Sequence, residues 1–296
     1  MIAGAAFFWG ISATAAKFLL NQNVDTLLIV QTRVSISAIV MGGFFLVVRP
    51  SVLRASPSTL GSCALLGVLG FAGANFTYYA VIKETSVATG ILIQYTAPLF
   101  VVGYTVASKE EHFSTVKLVA VLMSVGGCFL AVGGYDRSIL MLTPWTATLG
   151  LASVVCFSFL TVYSRRLVTR FGLWTTTFYA LASASLFWLV IQPPWVLAAQ
   201  SIPAATWGGL AVLAVVSVLL PHTLFMGGLR HVVPSRAIIT STIEPIVAIG
   251  SAAIVLGEYL RVVQVGGAVL VLLAVVLLNL RPETPRPAQH SPGEAA

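Results

Sequence analysis

Val262 to Leu280 reads VVQVGGAVLVLLAVVLLNL, nineteen residues without a charge. As a helix this stretch rises about 28 Å, close to the ~30 Å hydrocarbon core of a bilayer. It is apolar on every face, so only lipid or other helices of the same kind can solvate it. Working back along the chain, the same pattern recurs at about 2–20, 27–48, 60–82, 86–107, 115–133, 144–164, 174–192, 207–229 and 235–256. The expected fold class is therefore all-α integral membrane, with ten transmembrane helices. Composition agrees: 58% of the 296 residues are hydrophobic and 8% are charged, where a soluble domain carries about a quarter charged. At about 20 residues per crossing plus a connection, ten helices use up the chain and leave no room for a soluble domain.

Sixteen Lys and Arg against nine Asp and Glu give a net charge of +7. In a soluble protein such an excess would point to nucleic acid; here it follows from the concentration of basic residues in cytoplasmic loops. With the N-terminus in the cytoplasm, Arg49, Arg54, Lys109, Arg165, Arg166, Arg170, Arg230, Arg236, Arg281 and Arg286 fall on the inner side. Only Lys83, Arg137 and Arg261 then face out. Both termini are thus expected in the cytoplasm, with the chain a multi-pass protein of the cell (inner) membrane. Cys63, Cys128 and Cys156 lie in apolar runs without a CxxC, so neither a disulfide framework nor a bound metal or cofactor is expected. Residues 281–296, rich in Pro and polar side chains, read as a disordered cytoplasmic tail.

An offset of 147 residues brings Lys83 onto Arg230, Pro98 onto Pro245 and Glu111 onto Glu258 without gaps. The same offset carries the first five stretches onto the last five, dividing the chain into repeats at 1–134 and 143–280. Because five is odd, the second repeat enters the membrane from the opposite side. Two inverted five-helix repeats are an architecture of transporters, in which related halves exchange outward-open and inward-open states around a midplane site.

Several motifs then resemble one family. Trp9-Gly10 with Lys17 and Arg33, the run Asn75-Phe-Thr-Tyr-Tyr-Ala-Val-Ile-Lys83, the run Ile93-Gln-Tyr-Thr-Ala-Pro98, and Lys109-Glu110-Glu111 occur in the first half. Glu244-Pro245 and Leu256-Gly257-Glu258 occur in the second. In order and spacing, over residues 2–280, they resemble the EamA-type family of the drug/metabolite transporter superfamily. The resemblance implies ten helices, cytoplasmic termini, a central cavity and movement of small metabolites, often outward. Ser108-Lys109-Glu110, in place of a Leu-Gly-Glu type ending, and Met226 opposite Tyr79 depart from the pattern and leave the substrate class open.

A charge inside a bilayer helix costs about 2.5–3.5 kcal/mol on insertion scales and rarely faces lipid. Glu244, near the middle of the ninth stretch, is expected to face the interior as a proton-coupling site or a fixed counter-charge. Its counterpart at the repeat offset is Ala97, so one half alone carries the carboxylate. The competing reading is a structural pair with Lys17, Arg33 or His222. Lys17 reads most simply as a side chain snorkelling to the interface. Arg33 sits deeper, placed to neutralise Glu244 or a substrate carboxylate.

The other midplane polar groups pair by the offset, Asn75 with His222 and Gln94 with Ser241. Asn75 shares a helical face with Tyr78 and Tyr79, Ser241 with Glu244, and Trp9 with Ser12. These residues are expected to bind substrate, each against the alternative of packing or interhelical glue. Pro98 and Pro245, mid-helix at matched positions, are expected to act as hinges. Glu111 and Glu258 read as helix-end salt bridges near Lys109 and Arg261. The small residues Ala120, Ser124, Gly127 and Ala131, with Gly266 and Gly267, read as scaffold or a dimer contact.

The expected function is secondary transport of small amphipathic metabolites, amino acids or aromatic compounds, by alternating access and as an exporter. The partners are a small-molecule substrate, the lipid bilayer and, for coupling, protons, with the protein a monomer or homodimer. The chain has no Walker A motif, so direct ATP coupling is not expected. A sugar-phosphate or nucleotide-sugar exchanger is the runner-up and would call for more deep cations than Arg33 and Lys17. An integral-membrane enzyme acting on lipids would call for clustered acids at one face, and only Glu110-Glu111 are adjacent.

Overall fold

The computed structural model describes residues 1–20, 26–136, 141–193, 195–196, 203–256 and 259–280. The side chains of 13, 14, 16–20, 26, 204, 205, 252 and 256 are outside that description. Expectations for the side chain of Lys17, for Arg137, Gly257 and Glu258 and for the tail 281–296 therefore lie outside the described residues.

Among the described residues the chain forms ten main helical elements, besides a short 3-10 turn at Pro50–Leu53. They are α1 (Ile2–Leu20), α2 (Thr26–Val48), α3 (Pro57–Leu65, a π turn at Leu66–Ala72, then Gly73–Glu84), α4 (Val87–Gln94 and Ala97–Ala107) and α5 (Thr115–Val132). After them come α6 (Pro144–Phe171), α7 (Leu173–Ile191), α8 (Ala204–Ala214, a π turn at Val215–Leu219, then Leu220–Leu229), α9 (Pro234–Ser241 and Ile243–Leu256) and α10 (Val262–Asn279). Among the described residues nine of these, α2 to α10, are long and apolar enough to cross a bilayer. The protein is an all-helical, multi-span membrane protein.

Local chemistry sets the ends. Ser56, Ser86 and Thr143 accept hydrogen bonds from the backbone N–H three residues on, at 3.3, 3.1 and 3.2 Å. Pro57 and Pro144 follow two of these caps at the first helical position, where the missing N–H is harmless. Gly133 and Gly172, at φ 84° and 83°, close α5 and separate α6 from α7 in a conformation that a Cβ disfavours. The apolar pattern ends the sixth stretch at 164, yet α6 continues to Phe171. Arg165, Arg166 and Arg170 keep helical geometry because charged heads beyond the hydrocarbon are solvated without unwinding the backbone.

Packing joins the two halves throughout. α1 lies against α8 and α9, and α6 lies against α3 and α4. α2 packs on α7 and α8, and α7 packs also on α3. α5 pairs with α10 in the most extensive contact of the molecule. Each of these pairings maps onto another, or onto itself, when the first five helices are exchanged for the last five.

Polar glue ties α2 to α7, with Gln31 Nε2 donating to Gln192 O at 2.7 Å and Ser185 Oγ to Ser35 Oγ at 2.8 Å. The α5–α10 seam depends on small residues. A Cβ on Gly267 would sit 2.4 Å from Ala131 N and 2.6 Å from Gly127 O, whereas one on Gly266 would meet nothing within 4 Å. The small-residue stripe thus serves this intramolecular seam, with Gly267 in it and Gly266 on the outer face.

Candidate functional site

Both halves interrupt the same two helices at matched places. The π turns of α3 and α8 fall at corresponding positions, and so do the breaks in α4 after Gln94 and in α9 after Ser241. Pro98 and Pro245 stand at the starts of the second segments of α4 and α9, where proline removes a backbone donor and crowds the preceding turn. Main-chain irregularity of this kind is tolerated at membrane depth where it lines a cavity or lies buried in protein.

A cavity lies where these irregular segments converge. Its volume is about 110 Å3, room for several water molecules at ~10–15 Å3 each. α1 contributes Trp9 and Ser12, α2 Arg33, α3 Asn75, Tyr78 and Tyr79, and α4 Gln94 and Tyr95. From the second half come Phe157 and Leu160 of α6, Ser217 and His222 of α8, and Glu244 of α9. Six helices of the two halves, α1 to α4 with α8 and α9, thus supply polar groups to one space, among apolar walls.

Arg33 is 5% exposed. Its Nη1 donates to Ser217 Oγ at 3.2 Å and its Nη2 to Asn75 Oδ1 at 3.3 Å. The guanidinium carbon stands 5.0 Å from the centroid of the Tyr79 ring, within cation–π range. Asn75 is itself oriented, because its Nδ2 donates to Phe71 O in the π turn at 2.8 Å. Every one of these partners is neutral, so among the described residues the positive charge is held in place without being cancelled. Among the described residues Arg33 Nε is buried without a hydrogen-bond partner.

Glu244 occupies the first turn of the second segment of α9, where the helix dipole favours an anion. Its carboxylate accepts a hydrogen bond from Tyr95 Oη across the cavity. Among the described residues it forms no ion pair with Arg33 or His222; the side chain of Lys17, the third expected partner, lies outside the described residues. Gly10 lets α1 approach this turn: a Cβ there would stand 2.8 Å from Glu244 O and 2.6 Å from Val247 Cβ.

His222 Nδ1 lies 2.9 Å from Val218 O, and its ring packs 5.2 Å from Trp9 and 4.8 Å from Phe71, centroid to centroid. Ser12 Oγ donates to Trp9 O at 2.8 Å. Trp9, Ser12, Arg33, Asn75, Tyr78, Tyr79, Gln94, His222 and Glu244 therefore share one cavity. Ser241 does not line it. Its hydroxyl is fully buried and donates to Ile238 O at 2.7 Å. The helix break at Thr242 separates it from Glu244, so the three-residue spacing no longer places the two on one face.

Sequence reading missed Tyr95 and Ser217, both cavity residues. Tyr95 is the residue at which α4 breaks, two before the segment holding Pro98. Ser217 is the counterpart of Gly70 at the repeat offset, and both line the cavity; the offset alone held that signal.

A bilayer-spanning helical bundle with an internal, charged and aromatic cavity is the construction of a membrane transporter. The sequence profile of the EamA-like transporter family matches residues 1–133 and again 144–280. The chain belongs to the EamA-like transporter family. It is 22% identical over 283 residues to an uncharacterized inner membrane transporter, YicL, of Salmonella typhimurium, covering 93% of each chain. It is 27% identical to an uncharacterized transporter of Archaeoglobus fulgidus, covering 90% of this chain and 92% of that one. With the uncharacterized transporter YcbK of Bacillus subtilis it shares 30% identity over 175 residues, 57% of this chain and 56% of YcbK. A solved crystal structure superposes with a TM-score of 0.77 over 94% of this chain and 95% of that chain, at 19% identity; that likeness concerns the fold.

Proposed function

We propose that the protein is a secondary transporter of the inner membrane that moves small amphipathic metabolites, amino acids or aromatic compounds, outward by alternating access. On this reading α1 is a tenth crossing, the repeats are inverted, and both termini are cytoplasmic. The observation that carries the proposal is the pair of opposite charges in one cavity. Arg33 is held by neutral partners on one side, and Glu244 with Tyr95 stands on the other. Such a site takes a molecule with an anionic and a cationic end, while Trp9, Tyr78 and Tyr79 supply aromatic surface for its apolar part. A sugar phosphate fits less well, because Arg33 is the single described cation lining the cavity.

The test is a proteoliposome uptake screen with labelled amino acids and aromatic amines, with a pH gradient imposed or collapsed. Saturable uptake of a zwitterionic solute, enhanced by the pH gradient, is the expected result. If no such solute moves while a phosphorylated sugar exchanges, the runner-up replaces this reading.

A further inference from the structure

The two ends of the cavity are built differently. On one side its lining reaches Ile82 and Val87, which flank the turn between α3 and α4. Toward the opposite end, the N-terminal face where α1 begins, it stops at Trp9 and His222. There the helices close on an apolar layer of Ile2, Ala5, Phe225, Leu229 and Ala237. Past the end of α4, against the start of α9 that supplies Ala237 to this layer, stand two adjacent carboxylates, Glu110 and Glu111.

Lys109, at φ 60°, ends α4 in a left-handed turn, and Glu111 N–H bonds back to Thr105 O at 2.9 Å. This swings the Glu111 side chain inward. Its carboxylate pairs with Lys117 Nζ of α5 at 2.8 Å, both side chains being 1% exposed. It also accepts from Ser235 N–H at 3.2 Å and from Ser235 Oγ, at the start of α9. Glu110 pairs with Arg166 of α6, whose guanidinium also donates to Tyr104 Oη at 2.9 Å. One dipeptide of the first half thus grips two helices of the second.

The grip is mechanically joined to the site. The second segment of α4 and the first segment of α9 pack on each other. At the N-terminal face they are tied by Glu111 and Ser235, and at the cavity, across their breaks, by Tyr95 and Glu244. At the other end of the molecule the grip is missing from the sequence. The repeat counterparts of Glu110, Lys117, Arg166 and Ser235 are Gly257, Gln264, Leu19 and Ala88, and only Glu111 keeps its type, in Glu258. Among the described residues Gln264 meets no carboxylate there: it accepts from Arg261 N–H at 2.9 Å and donates to Ala131 O, on the α5–α10 seam, at 3.2 Å.

We propose that Glu110 and Glu111, with Lys117, Arg166 and Ser235, form a one-sided clamp between the halves that holds the cavity shut toward the N-terminal face. The clamp makes the state open beside the α3–α4 turn the resting state, and transport requires its release. Breaking a buried charge pair on one side leaves an uncompensated ion, so the clamp opens by parting Glu111 from Ser235 and Glu110 from Arg166 while Lys117 stays with Glu111. This deepens the transporter reading and rests on it.

The experiment needs no substrate. In full-length protein with Cys63, Cys128 and Cys156 replaced by Ala, Ser12→Cys reports the cavity. Separate Lys83→Cys and Arg54→Cys reporters identify the two faces, in vesicles of defined orientation. A membrane-impermeant maleimide is expected to label the cavity reporter from the Lys83 side only. In the Arg166→Ala, Ser235→Ala double variant, labelling from the Arg54 side is expected to rise at least tenfold and labelling from the Lys83 side to fall. Unchanged sidedness in the double variant, or equal labelling from both sides in the parent, overturns the clamp. A double variant that fails to fold is replaced by Arg166→Ala alone, which leaves the buried pair intact and is read by the same criterion with a smaller shift. A clamp-dependent pattern in a protein that moves no solute defeats the transport reading and leaves the clamp; solute movement with clamp-independent sidedness does the reverse.

Discussion

At the scale of single residues, Arg33 and Glu244 are held in different ways, and this separates their predicted effects. Arg33 is fixed by Ser217, Asn75 and the Tyr79 ring, so its geometry survives when substrate leaves. Arg33→Gln is expected to raise KM for a carboxylate-bearing solute about tenfold or more, the size of one hydrogen bond to a charged group, with a smaller change in kcat. Arg33→Lys rescues this only in part, because an ammonium cannot reproduce the two-pronged contact. Initial-rate measurements on both variants check the split. Glu244 has one described partner, the Tyr95 hydroxyl, so a proton or a substrate cation competes with a single hydrogen bond. Glu244→Gln keeps the shape and removes the charge. It is expected to abolish accumulation driven by a pH gradient while downhill counterflow persists; equal uphill accumulation by the variant would show that Glu244 carries no coupling.

At the scale of elements, the discontinuities of α3, α4, α8 and α9 place the site, and the continuous α5–α10 pair supports it. The Gly127–Gly267 contact leaves no room for a side chain. Gly267→Leu is expected to destabilise the protein by at least the ~1–3 kcal/mol typical of overpacking. The measurement is the melting midpoint in detergent, which falls by several degrees. Gly266→Leu, one residue away but facing outward, leaves the midpoint unchanged. The helix breaks show what periodicity can and cannot deliver. Pro98 and Pro245 mark both breaks in the sequence, because proline cannot donate and crowds the preceding turn. What a break does to facing is not in the pattern: an unbroken helix would set Ser241 beside Glu244, and the interrupted one turns Ser241 to Ile238 instead.

At the scale of the whole molecule, the strongest packing joins helices of different halves, α1 with α8 and α9, α6 with α3 and α4, α5 with α10. Each half therefore lacks its main partners when alone. Segments 1–134 and 143–280, expressed separately, are expected to be degraded or to aggregate, and together to copurify as one complex. Stable, monodisperse separate halves would contradict this packing. The cavity sits within that shared interior, so its wall belongs to both halves.

The sequence by itself determined the membrane class, the apolar helical stretches, the repeat offset, the family resemblance and most of the cavity's polar groups. Each of these follows from local chemistry: an uncharged run of bilayer length, a proline, or a charge that lipid will not solvate. Tertiary structure alone decided which groups meet. Tyr95 and Glu244 are 149 residues apart, and Arg33 and Ser217 are 184 apart. Lys117 carries no periodic or motif signal, yet it becomes the buried partner of Glu111. Such pairings depend on how broken helices turn and on which neighbours lie close enough to replace water, and both are set by the packing of one half against the other.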